Sequence, residues 1–251
     1  MRPVFANSAT ITVPEFLVRL RPVRLGVRFG VWVHPQQGPV LIDTGYGPEI
    51  TGGRRNLALT LYGQVLSPRL EDQPEDVLAR LGFTVADVRT VFVTHFHADH
   101  ISGLRRFPKA RFVAAGWPQL TAMTPWQKVR HGIFSELVPD DFQERLTAVE
   151  GLSTTDLPFG KGHDIFGDGT LLALPLPGHA AGHCGLVWPE QKLIYAADAQ
   201  WLSEAMRSGH VPHGPARLVY DDERAMTRSL ALLRAAEASG YEIVLCHDPV
   251  S

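Results

Sequence analysis

The sequence predicts an α/β fold, on three observations. Short runs rich in β-branched and aromatic residues, such as 40–42, 88–93 and 243–246, read as buried strands. Helical segments lie between them. The best formed covers 221–239, with Leu230, Leu232, Leu233 and Ala236 on or near its buried side. The chain has 251 residues, 45% of them hydrophobic and 20% charged, which is enough for one large domain with a substantial core. Residues 1–251 are therefore expected to form a single domain.

The elements follow in order. Residues 25–34 alternate in part and are rich in Val and Phe, so they read as a strand. The turn signal Gln37-Gly38-Pro39 leads into the short strand 40–42, which ends in Asp43-Thr44-Gly45. A carboxylate before glycine at a strand end reads first as a turn residue. Residues 46–70 are less regular, combining four glycines with Leu57, Leu59, Leu61, Tyr62, Val65 and Leu66. A polar surface loop would not carry so many large apolar side chains. Three readings stand: a lid over a site, a contact between two copies of the chain, or core. Arg54-Arg55 reads as a solvated pair.

Residues 74–81 read as a helix, with Pro74 at an early position and Gly82 as its stop. Strand 88–93, helix 100–107 and strand 110–113 then make a β-α-β unit. Residues 119–149 are helix-rich, broken at Pro125 and Pro139. Around them Trp117, Met123, Trp126, Ile133, Phe134 and Leu137 suggest core, or in part the wall of a pocket. Gly167-Asp168-Gly169 turns into strand 171–174. His179 and His183 sit on the Gly/Pro-rich loop that follows, where side chains are well exposed to chemistry. Residues 184–188 and 193–197 form a hairpin, and its second strand ends in Asp198 among small residues. The last strand, 243–246, ends in His247-Asp248.

Composition narrows the function. Lys plus Arg number 24 and Asp plus Glu 26, so no basic surplus suggests nucleic acid. No apolar segment approaches membrane-spanning length, and residues 1–13 hold no run long enough for a secretory signal. Two cysteines do not make a disulfide framework. A soluble, cytoplasmic protein is expected. Cys184 and Cys246 read as small buried hydrophobes. Cys246 precedes His247 on a strand and should point away from it.

The chemistry concentrates in Thr94-His95-Phe96-His97-Ala98-Asp99-His100, which holds three imidazoles and a carboxylate within six residues. His95 and His97 are two apart, so on an extended backbone they share a side. Asp99 and His100 follow where the chain must turn, with Asp99 at the position of a helix N-cap. A lone His is more often structural than a ligand. Three buried imidazoles in one turn would each need a separate partner, so a metal site is the better reading.

The pattern His-x-His-x-Asp-His resembles that of the metallo-β-lactamase superfamily, and the resemblance runs in order over nearly the whole chain. It implies a four-layer αβ/βα sandwich in which two similar halves pack sheet to sheet, although no sequence repeat is evident. It implies that His95, His97 and His179 hold one divalent metal ion. Asp99, His100 and His247 would hold a second, and Asp198 would bridge the two. His183 and Asp43 would stand behind these ligands, Asp43 holding a ligand imidazole in its tautomer. Imidazoles and carboxylates without thiolate suit zinc, and also iron, manganese or cobalt. A metal lowers the pKa of bound water to about 7, which gives hydroxide at neutral pH. The implied reaction is hydrolysis of an ester-like bond, with Asp99 and Asp198 as the catalytic carboxylates and Asp99 passing a proton to the leaving oxygen.

Within the superfamily the arrangement looks most like the quorum-quenching N-acyl-homoserine lactonases and related lactonases. The support is the set of five His and two Asp, the apolar insert at 46–70, and an end at Ser251, soon after His247. That end leaves little room for a C-terminal substrate domain of the glyoxalase II type. A homodimer through the insert is a further implication. One departure stands out: those lactonases carry a Tyr three residues after the bridging Asp, and here that position is Trp201. Tyr220 or another donor would have to replace the phenol. The expected substrate is a lactone with an apolar substituent. The alternatives are a thioester, β-lactam or phosphoester on the same site, or a metal protein without catalysis. No Cys occupies position 198, which argues against a true β-lactamase.

Overall fold

Period-two patterning places the core. The computed structural model describes residues 1–13, 23–53, 55–209 and 220–248. In the strand β3 (Gly38–Ile42), Val40 and Ile42 face one apolar layer and Leu41 faces another. β5 (Thr90–Phe92) does the same, with Phe92 on one side and Val91 on the other. Such strands are buried on both faces, which is why they read as continuous apolar runs.

Among the described residues there are two mixed sheets. The first has the order β4-β1-β2-β3-β5-β6-β7, where β1 is Val4–Val13, β2 Val23–His34, β4 Arg69–Leu70, β6 Arg111–Ala114 and β7 Leu146–Ala148. β3, β5, β6 and β7 run parallel to one another. The second sheet has the order β13-β12-β11-β10-β9-β8. Its strands are β8 (Thr154–Leu157), β9 (Gly160–Asp164), β10 (Leu172–Pro175), β11 (Cys184–Trp188), β12 (Leu193–Ala197) and β13 (Glu242–Leu245), and β12 and β13 run parallel.

The sheets pack face to face through Trp32, Val40, Ile42 and Phe92 of the first against Leu186, Trp188 and Tyr195 of the second. Helices cover both outer faces, giving the four-layer sandwich. On the first sheet these are α1 (Leu57–Leu66) and α2 (Pro74–Arg80), whose Leu59, Val77 and Leu78 share a cluster with Leu41, Val91 and Phe112. On the second, α7 (Glu223–Ala238) presents Met226, Leu230 and Leu233 to Leu172, Leu174 and Ile194. Each such fully buried side chain contributes roughly 1.5–3 kcal/mol. Asp222 caps α7, its carboxylate accepting from Ala225 N at 3.0 Å.

The insert at 46–70 contains α1, capped by Asn56, whose side chain accepts from Leu59 N at 2.8 Å. Leu59 and Gly63 face inward. A Cβ on Gly63 would meet Ile50 O at 2.4 Å, so only glycine lets the helix lie that close. The other face is bare: Leu57, Leu61 and Val65 are 75%, 52% and 73% exposed. The plain core reading therefore fails for half of the helix. Arg55 is not simply solvated, since Nη1 donates to Ile50 O at 3.1 Å; Arg54 lies outside the described residues.

The helix expected at 100–107 is a short α3 (Ala98–Ile101) followed by a 3-10 turn, Leu104–Arg106. The 119–149 region holds α4 (Trp117–Ala122), α5 (Pro125–Arg130) and the strand β7. Ile133, Phe134 and Leu137 are core there, but Trp126 stands 75% exposed. α6 (Ser203–Ser208) follows β12. Among the described residues no helix is long and apolar enough to cross a membrane.

Candidate metal centre

Four strand ends bring the chemistry to one edge of the sandwich: Asp43 after β3, residues 94–100 after β5, Asp198 after β12, and His247 after β13. Two turns there are left-handed at residues other than glycine. Asp43 has φ 55° and Ala197 has φ 45°. Asp tolerates this region, while for Ala it costs about 1–2 kcal/mol. The β12–β13 register also shifts between Tyr195 and Ala197. Bulge and strained turn together re-aim the carboxylate of Asp198. His179 arrives on the loop before β11. Gly178, at φ 128°, lets that loop touch α7, because a Cβ there would lie 2.2 Å from Met226 N.

The hydrogen bonds fix the imidazole tautomers. Asp43 Oδ1 accepts from Thr94 N, and Oδ2 accepts from Thr94 Oγ1 and His100 Nδ1, each at 2.8 Å. The Thr94 proton being used, its oxygen accepts from His95 Nδ1 at 3.0 Å. His247 Nδ1 donates to Gly26 O at 2.6 Å. His183 Nδ1 donates to Leu176 O at 2.9 Å, and its Nε2 accepts from Asp198 N at 3.2 Å. His95, His100 and His247 thus turn Nε2 toward a common centre.

Around that centre His179 Nε2 lies 3.0 Å from His97 Nδ1 and 3.6 Å from Asp198 Oδ2. His247 Nε2 lies 3.0 Å from Asp198 Oδ2, and His100 Nε2 lies 3.4 Å from Asp198 Oδ1. Asp99 Oδ2 is 3.6 Å from His100 Nε2 and 3.9 Å from His247 Nε2. Ligand-type atoms of His95, His97 and His179 lie within 4.8 Å of one another, as do those of His95, His100 and Asp198. All seven residues expected from the sequence are buried and brought together.

The donor set fits divalent cations. Nε2 of His95, His97 and His100 and Oδ1 of Asp198 are buried and, among the described residues, have no hydrogen-bond partner. An unsatisfied buried polar atom costs about 1–3 kcal/mol, so four at one point mark where a ligand belongs. Burial lowers the basicity of His95, His179 and His97, the last to about 4, which keeps them neutral with lone pairs available. Burial also works to lower His100 and His247, but carboxylates outweigh it, Asp99 and Asp198 for His100 and Asp198 for His247, and both are raised. Burial works to raise Asp198, but His247 and His100 hold it well below the usual carboxylate range. Protons compensate the carboxylates here as a metal cation would.

Some placements differ from the sequence reading. His97, not Asp99, is the N-cap of α3, and Asp99 lies inside the first turn. β13 ends at Leu245, so strand alternation does not carry to Cys246. Its thiol lies within 4.8 Å of the ligand atoms of Asp198 and His247. It also accepts from Arg28 N at 3.3 Å. Cys184 is the buried hydrophobe expected, its thiol pushed up to about 12 by burial, with Glu150 adding to the shift. Thr94, which links three site residues, has no signature of its own in sequence.

A cavity of about 250 Å³ opens onto the cluster, lined by Tyr46, Tyr62, Leu66, Leu25, Val129, Arg130, His131 and Trp201 with His97, Asp99, His179, Asp198 and His247. The insert at 46–70 therefore does wall the site. Trp201 stands edge-on to His247, ring centroids 6.3 Å apart. A larger cavity of about 600 Å³, between residues 48–53 and 135–140, contains none of the seven.

Residues 25–240 match the profile of the metallo-beta-lactamase superfamily. This chain belongs to that superfamily. It is 29% identical over 232 residues to the N-acyl homoserine lactonase AttM of Rhizobium johnstonii, covering 90% of this chain and 82% of the relative. It is 30% identical over 231 residues to AttM of Rhizobium radiobacter, covering 89% and 82%. The fold matches a single-substitution mutant of AiiA from B. thuringiensis, solved with N-decanoyl-L-homoserine at its active site, with a TM-score of 0.73 over 98% of this chain and 92% of that one at 19% identity. The superfamily and these relatives make the protein a metal-dependent hydrolase.

Proposed function

We propose that this superfamily member opens lactones, such as acyl-homoserine lactones or similar apolar lactones, at a pair of divalent metal ions. The observation that carries the reading is the convergence of seven buried ligand-type groups beneath a largely apolar cavity. His95, His97 and His179 hold one ion, and Asp99, His100 and His247 hold the other. Asp198 lies between them, its two oxygens facing imidazoles of both groups. Zinc suits this set, and so do iron, manganese and cobalt. When bound, the ions supply a nucleophile from water at neutral pH and polarise the ester carbonyl.

The remaining work falls to the chain. Asp43 and Thr94 lock the imidazoles of His100 and His95, and His183 braces the Asp198 main chain. Asp99 is 9% exposed at the cavity floor and passes a proton to the leaving oxygen. Leu25, Leu66, Val129 and Trp201 receive the apolar substituent, each buried group of which is worth roughly 1.5–3 kcal/mol. The bare stripe Leu57, Leu61 and Val65 supports a homodimer through α1.

Arg130 in the cavity wall favours a phosphoester as second reading. A hydrolysis panel on metal-reconstituted protein separates the two. kcat/KM is expected to be highest for a long-chain acyl-homoserine lactone or an aliphatic γ- or δ-lactone. A phosphodiester or a thioester hydrolysed faster than both would overturn the lactonase reading.

A further inference from the structure

Two phenols meet in the wall of the same cavity. Tyr46 and Tyr62 line it together with Asp99 and Asp198, and their hydroxyls are 2.6 Å apart. Tyr46 is sealed, 1% exposed, while Tyr62 is half-buried and packs on Phe134 with ring centroids 5.0 Å apart. Two hydroxyls carry two protons, and the bond between them uses one. Among the described residues neither hydroxyl has another partner, so the second proton is available to whatever the cavity holds. The deeper Tyr46 is the natural donor within the pair, which leaves the outer Tyr62 to donate onward.

We propose that Tyr62, oriented by Tyr46, donates a hydrogen bond to the oxygen that leaves the substrate carbonyl in the cavity the two phenols line. The proposal rests on the ester-hydrolysis reading above. Burial raises both phenols, with the neighbouring Tyr62 adding to the shift of Tyr46 and Asp99 adding to that of Tyr62. They are therefore neutral donors at any working pH. In the reaction an oxygen from water bonds to the carbonyl carbon, and the ring C–O bond breaks. Its electron pair goes to the leaving oxygen. The proton lost by water reaches that oxygen through Asp99. Tyr62 keeps its own proton and stabilises the charge as it develops, which is a contact stronger in the transition state than in the ground state.

The plain alternative is that the pair only fills space. Phe fills the same space, so Tyr62→Phe, Tyr46→Phe and the double variant separate the two. Each is reconstituted with zinc, and its metal content is measured alongside wild type. Tyr62→Phe is expected to lower kcat on the alkyl lactone about 10- to 100-fold, the worth of a hydrogen bond to a charged oxygen, with KM little changed. On an aryl ester, whose leaving oxygen carries less charge, the loss should shrink to about three-fold or less. Tyr46→Phe should lose about three-fold, and the double variant should match Tyr62→Phe.

Wild-type kcat in Tyr62→Phe, an equal loss on both esters, or a larger loss in Tyr46→Phe overturns the inference and leaves the lactonase reading standing. Wild-type protein without lactone turnover overturns the lactonase reading instead. The inference is then judged by calorimetric binding of the ring-opened hydroxy acid, whose hydroxyl is the leaving oxygen. Tyr62→Phe should weaken it about five-fold. Unchanged binding overturns the inference.

Discussion

Asp43 receives three hydrogen bonds in a fully buried turn, and one of them sets which nitrogen His100 offers. The residues around it read as strand, Asp and Gly, a pattern that a plain turn shares, and the role of holding a ligand imidazole came from the family resemblance. Asp43→Asn keeps the size but faces three donors with an amide. Metal affinity at the Asp99, His100 and His247 group should fall about 10- to 100-fold, read by chelator competition. Unchanged affinity would mean that Asp43 only closes a turn. Cys246 tests the opposite case. Its sulfur accepts from the buried Arg28 N–H, so Cys246→Ala should cost about 1–3 kcal/mol in denaturant melts while both metals stay bound. Loss of metal with the fold intact by circular dichroism would make the thiol a ligand. The sequence placed this thiol wrongly because β13 stops one residue earlier than its apolar run suggests. The Tyr46–Tyr62 pair was invisible for another reason. Sixteen residues separate the two, and a phenol shows its donor role only once a cavity forms beside it.

α1 has two apolar faces, and among the described residues only one of them is covered. Leu59 is fully buried, whereas Leu57, Leu61 and Val65, spaced four apart, form an exposed stripe. Leu61→Glu removes no core contact, so stability should stay within about 0.5 kcal/mol. It should convert a dimer to a monomer in sedimentation velocity. A wild-type chain that is already monomeric at high concentration would refute the dimer through α1. β8 shows how a strand can escape the sequence reading. It is Thr154–Leu157, exposed along most of its length, and among the described residues it pairs only with β9. Its order comes from that pairing rather than from its own side chains. Strands buried on both faces, such as β3 and β5, announce themselves in sequence.

Among the described residues the molecule is two sheets whose edges must meet correctly for the seven ligand-type groups to converge. His95, His97, Asp99 and His100 come from the first sheet, while His179, Asp198 and His247 come from the second half of the chain. The short motif was legible because its four groups are local. The other three needed the resemblance, since nothing near His179 or His247 alone marks either as a member of such a cluster. The inter-sheet core of Trp32, Phe92, Trp188 and Tyr195 holds the two halves in register. Cations bound across the seam should therefore tie the halves together and raise the melting temperature. Hydrolysis is expected to need both ions between those halves. The most direct measurement titrates zinc into metal-free protein and follows lactone hydrolysis and bound metal together. Activity is expected to climb to a plateau at about two equivalents per chain, because seven ligand-type groups exceed what one tetrahedral ion uses. Full activity at one equivalent, or turnover with no metal bound, would contradict it.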